Sequence, residues 1–245
     1  MDAFYVSVEL LRHPELHGLP VVVGGTAGRG VVSAASYEAR RYGVYSAMSS
    51  ATARKLCPNA VFLPPDISHY IEVSRHLHTV FESFTPLVEQ ISVDEAFMDV
   101  SGATTLMGDA VSIAWQLRER VMAETKLSCS VGIAPNKFLA KLASEHAKPK
   151  ATPDGIAPGH QVFEVKPGEE LNFLLPLPVQ ALWGVGPATL KKLESIGVRR
   201  VSDLAQLDES VVCAAVGDAH GRHLYALSHG KDNRPVEPER IAKSI

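Results

Sequence analysis

Two adjacent carboxylates, Asp94 and Glu95, interrupt an apolar stretch that otherwise has the composition of β-strand, ISVDEAFMDVS. In a plain strand these side chains would point to opposite faces, whereas at the tip of a hairpin with arms VEQISV and AFMDVS both can reach one point. Like charges held together raise each other's pKa, so a compensating cation is expected, and hard oxygen ligands suit Mg²⁺. The alternative is an exposed turn, where Asp is common. The stretch predicts a hairpin and leaves open whether its tip is a metal site or a solvated turn.

The charge distribution fits a metal site beside a phosphate-bearing ligand. The net charge of the 245 residues is −3, yet no Lys or Arg lies between Arg75 and Arg118, where acidic residues recur. From Arg118 to Lys150 the basic residues outnumber the acidic ones. An acidic centre beside a basic flank suits a cation next to phosphate. Solvated charged faces would give the same pattern.

Hydropathy and cysteine usage argue against several classes of protein. No run of about 18 apolar residues occurs, which argues against a membrane span, and the first residues lack the pattern of a secretory signal. The three cysteines lie far apart with no metal-ligand spacing: Cys57, Cys129 and Cys213. We expect reduced thiols in a cytoplasmic protein with no membrane partner.

Helical and strand-like segments alternate in the first two thirds of the chain and give way to short helices over 171–233. Apolar residues at helical spacing predict helices over 67–86, 106–126 and 136–147, with strand-like segments between them. This order predicts an α+β fold whose sheet is a split βαβ arrangement with helices on one face. Residues 149–170 are rich in Pro and Gly and predict a linker or irregular connection.

Basic side chains in two segments are candidates for phosphate contact. Tyr37 and Arg40 lie three residues apart on one face of a predicted helix, and the guanidinium fork of Arg suits phosphate oxygens. Lys137, Lys141 and Lys148 share a helical face if the helix continues to Pro149. Each of these residues could equally lie on a solvated surface. The glycine-rich GGTAGRG of residues 24–30 matches neither G-x-G-x-x-G nor the P-loop and is interpreted as a turn.

The segment LPVQALWGVGPATLKKLESIGVRRVSDL matches a helix-hairpin-helix. Gly184 and Gly186 flank Val185 at the end of one helix, and Pro187 stands in the first turn of the next. Such glycines let main-chain N–H groups approach a DNA phosphate, with Lys191 and Lys192 nearby. Binding of this kind reads no base sequence and depends on salt. The alternative is a structural αα-hairpin.

Taken together, these segments resemble the Y-family (translesion) DNA polymerases of the bacterial polymerase IV type. The resemblance covers essentially the whole chain, in order and spacing. It is carried by MDAFYVSVE, PVVVGG, GVVSAASYEARRYGVYSAM, LCPNAVFLPP, ISVDEAFMDV, SVGIAPNKFLAKLASEHAKP and the helix-hairpin-helix.

The resemblance implies an α+β fold made of a palm, small α/β fingers and an all-helical thumb. The palm would comprise residues 1–12 and 67–165 with a split βαβ (ferredoxin-like) sheet, the fingers 13–66 and the thumb 166–233 with the helix-hairpin-helix. Residues 234–245 would form a linker toward a little-finger domain. The clamp-binding peptide of the family, through which a sliding clamp would be a partner, would lie beyond the sequence given.

The resemblance also assigns roles to individual residues. Asp94 and Glu95 match the second and third catalytic carboxylates, which with the Met1 carbonyl would hold two Mg²⁺ ions. Tyr5 matches the steric gate that favours deoxyribonucleotides, beside Phe4. Tyr37, Arg40 and Lys148 match residues that hold the incoming triphosphate, and Ala34 stands where the family often has a Thr that touches phosphate. The implied partners are primer-template DNA and deoxynucleoside triphosphates, bound by a monomer.

One departure from the family pattern concerns the first strand. Its acidic-hydrophobic-acidic motif aligns Met1 with the middle residue and Asp2 with the second acid, so the metal-bridging Asp would precede Met1. Two hypotheses follow: a Mg²⁺-dependent DNA polymerase of repair and translesion synthesis, or a polymerase core that binds nucleotide and DNA with impaired turnover. A nucleotidyl cyclase with a similar palm is a third, which the helix-hairpin-helix and Tyr5 disfavour.

Overall fold

The computed structural model describes residues 1–25 and 30–238, so part of the glycine-rich turn and most of the predicted linker 234–245 lie outside the described residues. The helices are α1 Phe4–Arg12, α2 Tyr37–Arg40, α3 Ser50–Leu56, α4 Ile67–Glu82, α5 Thr104–Met107, α6 Ala110–Thr125, α7 Lys137–Ala147, α8 Glu170–Leu174, α9 Pro187–Ser195, α10 Val201–Ala205, α11 Glu209–Val216 and α12 Asp218–Ser228. The strands are β1 Val21–Gly24, β2 Val32–Ala35, β3 Val61–Leu63, β4 Val88–Gln90, β5 Ala96–Met98, β6 Val131–Ile133, β7 Lys150–Thr152, β8 Gly155–Ala157 and β9 Val162–Glu164.

The chain divides into two compact units. Among the described residues, the first unit contains those of Met1–Val131, Ala147–Val162 and 236–238, and the second contains Gly132–His146 and Phe163–Pro235. The mixture of helices and short strands confirms the α+β prediction. Residues 132–146, grouped by sequence with the palm, cluster with the second unit; the boundaries assigned to palm, fingers and thumb remain a prediction.

Two hydrophobic cores form inside the first unit. The larger core joins α1, α4 and α6 through buried residues such as Val8, Tyr70 and Ile113. The smaller core is built on a three-stranded sheet of order β2-β1-β3, in which β1 runs antiparallel to β2 and parallel to β3. Both long helices begin at an aspartate whose carboxylate accepts a first-turn N–H, Asp66 for α4 and Asp109 for α6.

The chain enters the first unit through a short extended segment and a sharp turn. The Asp2 N–H donates to the Ser128 carbonyl at 3.1 Å, and Ala3 then takes a left-handed conformation with φ 45°. Helix α1 begins at Phe4 directly afterwards.

A second sheet of the first unit is the antiparallel hairpin of β4 and β5, with Val88 opposite Met98 and Gln90 opposite Ala96. The Met1 nitrogen donates to the Asp94 carbonyl on one side, and Asp2 bonds to Ser128 on the other. The amino-terminal segment therefore bonds to the turn of the hairpin and to Ser128, but neither Met1–Ala3 nor Ser128 forms a regular strand, and the β4–β5 hairpin is a separate two-stranded sheet.

Residues 149–170 are more ordered than a linker, which corrects the sequence interpretation. Strands β7 and β8 form an antiparallel hairpin with Lys150 opposite Ala157 and Thr152 opposite Gly155, and β9 pairs with β6. The Pro-Asp-Gly of residues 153–155 is the turn between the two arms, and Gly155 has φ 156°.

The lysine stripe proposed for residues 137–148 is also corrected. Helix α7 ends at Ala147, so Lys148 lies beyond it. Lys137 is buried at 7% exposure, while Lys141 pairs with Glu145 at 3.4 Å. Of these three lysines, Lys148 is the one retained as a candidate for phosphate contact.

The second unit is mainly helical, with one hydrophobic core. Its buried residues come from α7 and from the helices after residue 170, including Leu139, Leu193 and Leu224. This confirms the short helices predicted over 171–233. No helix among the described residues combines the length and the hydropathy that crossing a membrane requires.

Candidate active site

Asp94 and Glu95 lie at the tip of the β4–β5 hairpin, as predicted. The Ile91 N–H donates to the Glu95 carbonyl at 3.0 Å and closes the turn. The Ser92 hydroxyl donates to Asp94 Oδ1 at 3.0 Å, and the Asp94 side chain is 27% exposed. Ser92 thus orients the carboxylate while leaving it accessible, a role that the sequence interpretation missed.

The first two residues of the chain have separate roles beside this tip. The Met1 nitrogen lies 2.8 Å from the Asp94 carbonyl oxygen and 3.8 Å from Oδ2. Asp2 is only 5% exposed, and its Oδ1 accepts a hydrogen bond from the Ser130 hydroxyl at 2.8 Å. The structure therefore brings Met1 to Asp94 and assigns the Asp2 carboxylate to a structural bond.

One face of the Tyr5 ring packs against a second tyrosine. The ring stacks on Tyr70 with centroids 4.3 Å apart and planes at 18°, and the Tyr70 hydroxyl donates to the buried Glu9 carboxylate at 2.7 Å. Burial, and then the negative charge of Asp94, raise the pKa of Tyr5. The Tyr5 ring is thus a neutral, supported wall within electrostatic reach of Asp94.

Phe4, predicted to contact nucleotide, has its side chain in the core at 4% exposure. Its ring packs edge-on against Tyr70 at 6.4 Å. Any contact with a ligand therefore falls to the Phe4 main chain. Tyr70 and Glu9, which support Tyr5, carried no signal in the sequence, because they are 61 residues apart.

Tyr37 and Arg40 are brought together by α2. The Ser36 hydroxyl accepts the Ala39 N–H and caps this helix, and the Arg40 guanidinium carbon lies 4.6 Å from the centroid of the Tyr37 ring. Arg40 Nε donates to the Ala35 carbonyl at 3.0 Å. The bond to Ala35 therefore orients the Arg40 guanidinium and uses only its Nε donor.

Lys148 belongs to the same compact unit as Asp94, Tyr5, Tyr37 and Arg40. It follows the last residue of α7, where the chain turns into the β7–β8 hairpin. Direct contacts join Met1 to Asp94 and Tyr37 to Arg40, whereas Lys148 is related to α2 through that hairpin.

The helix-hairpin-helix lies in the second unit and has the expected turn. A 3₁₀ turn over Val179–Ala181 leads to Gly184, with φ 92°, and Gly186 precedes α9. A Cβ at Gly184 would stand 2.9 Å from the His220 ring, whereas Gly186 faces open space. Lys191 and Lys192 are exposed on α9. His220, which closes the inner side of the turn, was not identified from sequence.

Within the described ranges 1–25 and 30–238, no three His, Cys, Asp or Glu side chains cluster closely enough to hold a metal ion by themselves. Mg²⁺ is commonly bound through one or two carboxylates together with substrate phosphates and water. A pair of hard, accessible oxygen donors such as Asp94 and Glu95 fits that mode of binding.

Comparison with known proteins identifies the family. Residues 1–145 match the model of the impB/mucB/samB family, and residues 180–232 match the thumb domain of DNA polymerase iota. The chain is 49% identical over 245 residues to DNA polymerase IV of Desulfatibacillum aliphaticivorans, covering 100% of this chain and 59% of that protein. It is 45% identical over 240 residues to DNA polymerase IV of Neisseria meningitidis serogroup B, covering 98% of this chain and 72% of that protein.

Solved structures give the same result. The insertion ternary complex of Dbh DNA polymerase superimposes with a TM-score of 0.83 at 27% identity, over 96% of this chain and 67% of that one. DinB from Sulfolobus solfataricus gives a TM-score of 0.82 at 26% identity, over 97% of this chain and 67% of that one. The chain therefore belongs to the impB/mucB/samB family of Y-family DNA polymerases. It spans 59% of the length of the first curated relative.

Proposed function

We propose that this protein is a template-directed DNA polymerase of DNA repair and translesion synthesis, which transfers deoxynucleotides to a primer 3′ end. The observation that carries the proposal is the placement of the Asp94 carboxylate beside the Met1 main chain and within electrostatic reach of Tyr5. The family membership supports it, since relatives with 45–49% identity are named DNA polymerase IV.

Asp94 and Glu95, with the Met1 carbonyl, would hold two Mg²⁺ ions. Bound there, the ions would supply charge neutralisation on the triphosphate and a lower pKa for the primer hydroxyl. The chain's own contribution is to orient these oxygens, and the Ser92 bond to Asp94 Oδ1 does so. A fixed carboxylate avoids the cost of reorganisation during the reaction.

The remaining site residues would bind and select the nucleotide. Arg40 and Lys148 would neutralise phosphate charge, with Tyr37 supporting Arg40 through its ring face. The Tyr5 ring, fixed on Tyr70, would stand beneath the sugar and exclude a 2′-hydroxyl. Selection by a rigid wall needs no contact with the base and so tolerates any template.

The second unit would grip primer-template DNA through its helix-hairpin-helix. Main-chain N–H groups at Gly184 and Gly186 would meet a phosphate, and Lys191 and Lys192 would add positive charge. We further propose that the protein acts as a cytoplasmic monomer and has a sliding clamp as a partner. The three free cysteines suit a reducing compartment.

Primer extension with Mg²⁺ tests the proposal, with Asp94→Asn as the critical variant. Replacing the carboxylate should lower the extension rate by about 10²-fold or more. Asp99→Asn, on the same hairpin but bonded to Ser101, is the matched control and should extend normally. Extension unchanged by Asp94→Asn would contradict the proposal.

The same assay distinguishes an active polymerase from the alternative, a polymerase core that binds nucleotide and DNA without turnover. That alternative predicts nucleotide and DNA binding with no extension, and restored extension when an Asp is added before Met1, since the Met1 nitrogen already lies 3.8 Å from Asp94 Oδ2. A cyclic product from purine triphosphates in the absence of DNA would indicate a cyclase instead.

A further inference from the structure

We infer that the segment Lys148–Gln161, called the brace here, is a positioning element of the triphosphate site that ties Lys148 to helix α2. The inference rests on the proposed function, because it assigns Lys148, Tyr37 and Arg40 to the triphosphate. It goes beyond that function in giving a role to Arg41 and to the residues of the brace after Lys148, none of which would touch the nucleotide.

The two ends of the brace are locked together. The Gln161 N–H donates to the Ala147 carbonyl at 3.0 Å, with Gln161 in a left-handed conformation at φ 65°. Its side-chain Oε1 accepts a hydrogen bond from Arg118 Nη2 of α6 at 2.8 Å. A non-glycine residue held at positive φ needs such surrounding bonds to persist. The first and last residues of the brace are therefore held next to each other, beside helix α6 of the first unit.

Gly159 lies directly against the main chain of Lys148. A Cβ at Gly159 would stand 2.1 Å from the Ala147 carbonyl oxygen, 2.4 Å from the Lys148 carbonyl carbon and 2.6 Å from the Pro149 nitrogen. All three are main-chain atoms, which cannot rotate away as a side chain would. The returning end of the brace thus fixes where the main chain of Lys148 lies.

The middle of the brace supports α2. Both β7 and β8 pack against this helix, and Arg41 Nη2 donates to the Pro153 carbonyl at the hairpin turn with a distance of 3.0 Å. Helix α2 has four residues, too few to be stable without tertiary contacts. The hairpin and the Arg41 bond are contacts of that kind, on the helix that carries Tyr37 and Arg40.

One segment therefore positions both parts of the proposed phosphate-binding set. The lysine is placed by Gly159 at the end of the brace, and the tyrosine and arginine are placed by the hairpin in its middle. Loosening the hairpin should change the distance between the parts without altering either donor. Such a change weakens binding of the triphosphate more than it alters DNA binding or overall stability.

The test compares Arg41→Ala with Arg41→Lys in steady-state primer extension. Arg41→Ala should raise KM for the deoxynucleotide by about 5- to 50-fold with kcat and DNA affinity within about 2-fold. Arg41→Lys can still donate to the Pro153 carbonyl and should recover most of the loss. Arg54→Ala, which removes an exposed arginine of α3 packed on Phe62, is the charge-matched control. Thermal unfolding verifies that all three variants fold.

A second variant distinguishes positioning from direct phosphate contact by Arg41. Asn-Gly in place of Ala151–Ile156 keeps the Lys150–Ala157 pair as a tight hairpin and removes the Pro153 acceptor. If Arg41 acts through the brace, this variant should reproduce the rise in KM, and adding Arg41→Ala should raise it no further. Additive effects, or a normal KM in the shortened variant, would overturn the inference. Failure of the proposed function would differ, since the unmodified protein would then show no extension at all.

Discussion

The steric-gate assignment of Tyr5 depends on how firmly its ring is held. Packing against Tyr70 at 4.3 Å supports one face, and Tyr70 is anchored by a hydrogen bond to Glu9, which is itself 4% exposed. A buried hydrogen bond to a carboxylate is among the stronger ones. Displacing the Tyr5 ring to admit a larger sugar therefore costs free energy, so exclusion of a 2′-hydroxyl can be steric.

Replacing Tyr5 with alanine should relax sugar discrimination. Removing the wall should raise ribonucleotide incorporation relative to deoxynucleotide by about 10- to 100-fold, which corresponds to roughly 1–3 kcal/mol. The measurement is the ratio of kcat/KM for matched ribo- and deoxynucleotides. Tyr45→Ala, at a tyrosine that is 54% exposed, is the control and should keep the original ratio. An unchanged ratio of ribo- to deoxynucleotide kcat/KM in Tyr5→Ala would contradict the steric-gate assignment.

Stability at alkaline pH should depend on Cys129. Burial raises the pKa of its thiol to about 11 from an ordinary 9.0, so the native state keeps a proton that the unfolded state releases. A pKa raised by folding makes the free energy of unfolding fall as pH rises from about 9 to 11, by roughly 1–3 kcal/mol. Urea unfolding of Cys129→Ala should show a shallower decline over this range. Equal slopes for the two proteins would contradict the prediction.

Sequence patterns identified candidate residues for the site, but they did not identify the contacts that hold those residues in place. The hairpin tip at Asp94 follows from strand periodicity around two charges, a local signal. Ser92, two residues before Asp94, fits a common turn pattern and could have been recognised. The Asp2–Ser130 bond joins residues 128 positions apart, and no local pattern encodes such a pair.

At the scale of elements, the two glycines of the helix-hairpin-helix lack a side chain for different physical reasons. Gly184 has φ 92° and faces His220, so a side chain there would be strained and crowded. Gly186 has open space and an extended conformation, so only a ligand approaching from outside would require its lack of a side chain. Gly184 thus shapes the turn, and under the proposed function Gly186 would be the glycine that contacts DNA.

Removing Lys191 and Lys192 together should weaken DNA binding and its salt dependence. Each lysine that neutralises a phosphate adds nearly one to the slope of log affinity against log salt, so Lys191→Ala/Lys192→Ala should reduce that slope by about 2. Fluorescence anisotropy at several salt concentrations measures it. Lys126→Ala, at the end of α6 in the first unit, should leave the slope unchanged, and an unaltered slope in the double variant would contradict the assignment.

The brace shows why one element was misjudged from sequence. Its Pro and Gly content was interpreted as a linker, although Pro153-Asp154-Gly155 is also a strong turn signal. The strands on either side have three residues each, too short for periodicity to register. Their order comes from packing on α2 and from the Arg41 bond, which are tertiary effects.

At the scale of the whole molecule, each unit has hydrophobic cores of its own. The first unit contains the cores around Tyr70 and around Val22, and the second contains the core around Leu193. Stability can therefore differ between the units, since local opening follows the buried contacts of each region.

Leu193→Ala should destabilise the second unit selectively. Leu193 is fully buried, and such truncations cost about 2–5 kcal/mol. Hydrogen exchange should accelerate in α9 through α12, while α1 and α4 keep their protection and nucleotide binding persists. Leu171→Ala, at an exposed leucine of the same unit, is the control. Equal acceleration throughout both units would show that they unfold together.

The discontinuity of the two units was beyond sequence-based prediction. Residues 132–146 leave the first unit, contribute α7 to the second and return at Ala147. Local composition gives no boundary there, because α7 has the apolar spacing of any packed helix. The choice of unit depends on which core receives Leu139, a property of the folded chain.

The left-handed conformation of Ala3 limits which substitutions this chain can accumulate. With φ 45°, a β-branched residue at position 3 would be strained, while Gly or Asn would fit with little cost. In a saturation library selected for folding, position 3 should be enriched in Gly and Asn and depleted of Val, Ile and Thr. Residue 3 has no ligand contact in the proposed function, yet it becomes one of the least exchangeable residues of the segment. Its conformation sets the direction in which the chain passes from Met1, which is bonded to Asp94, into helix α1, which carries Tyr5.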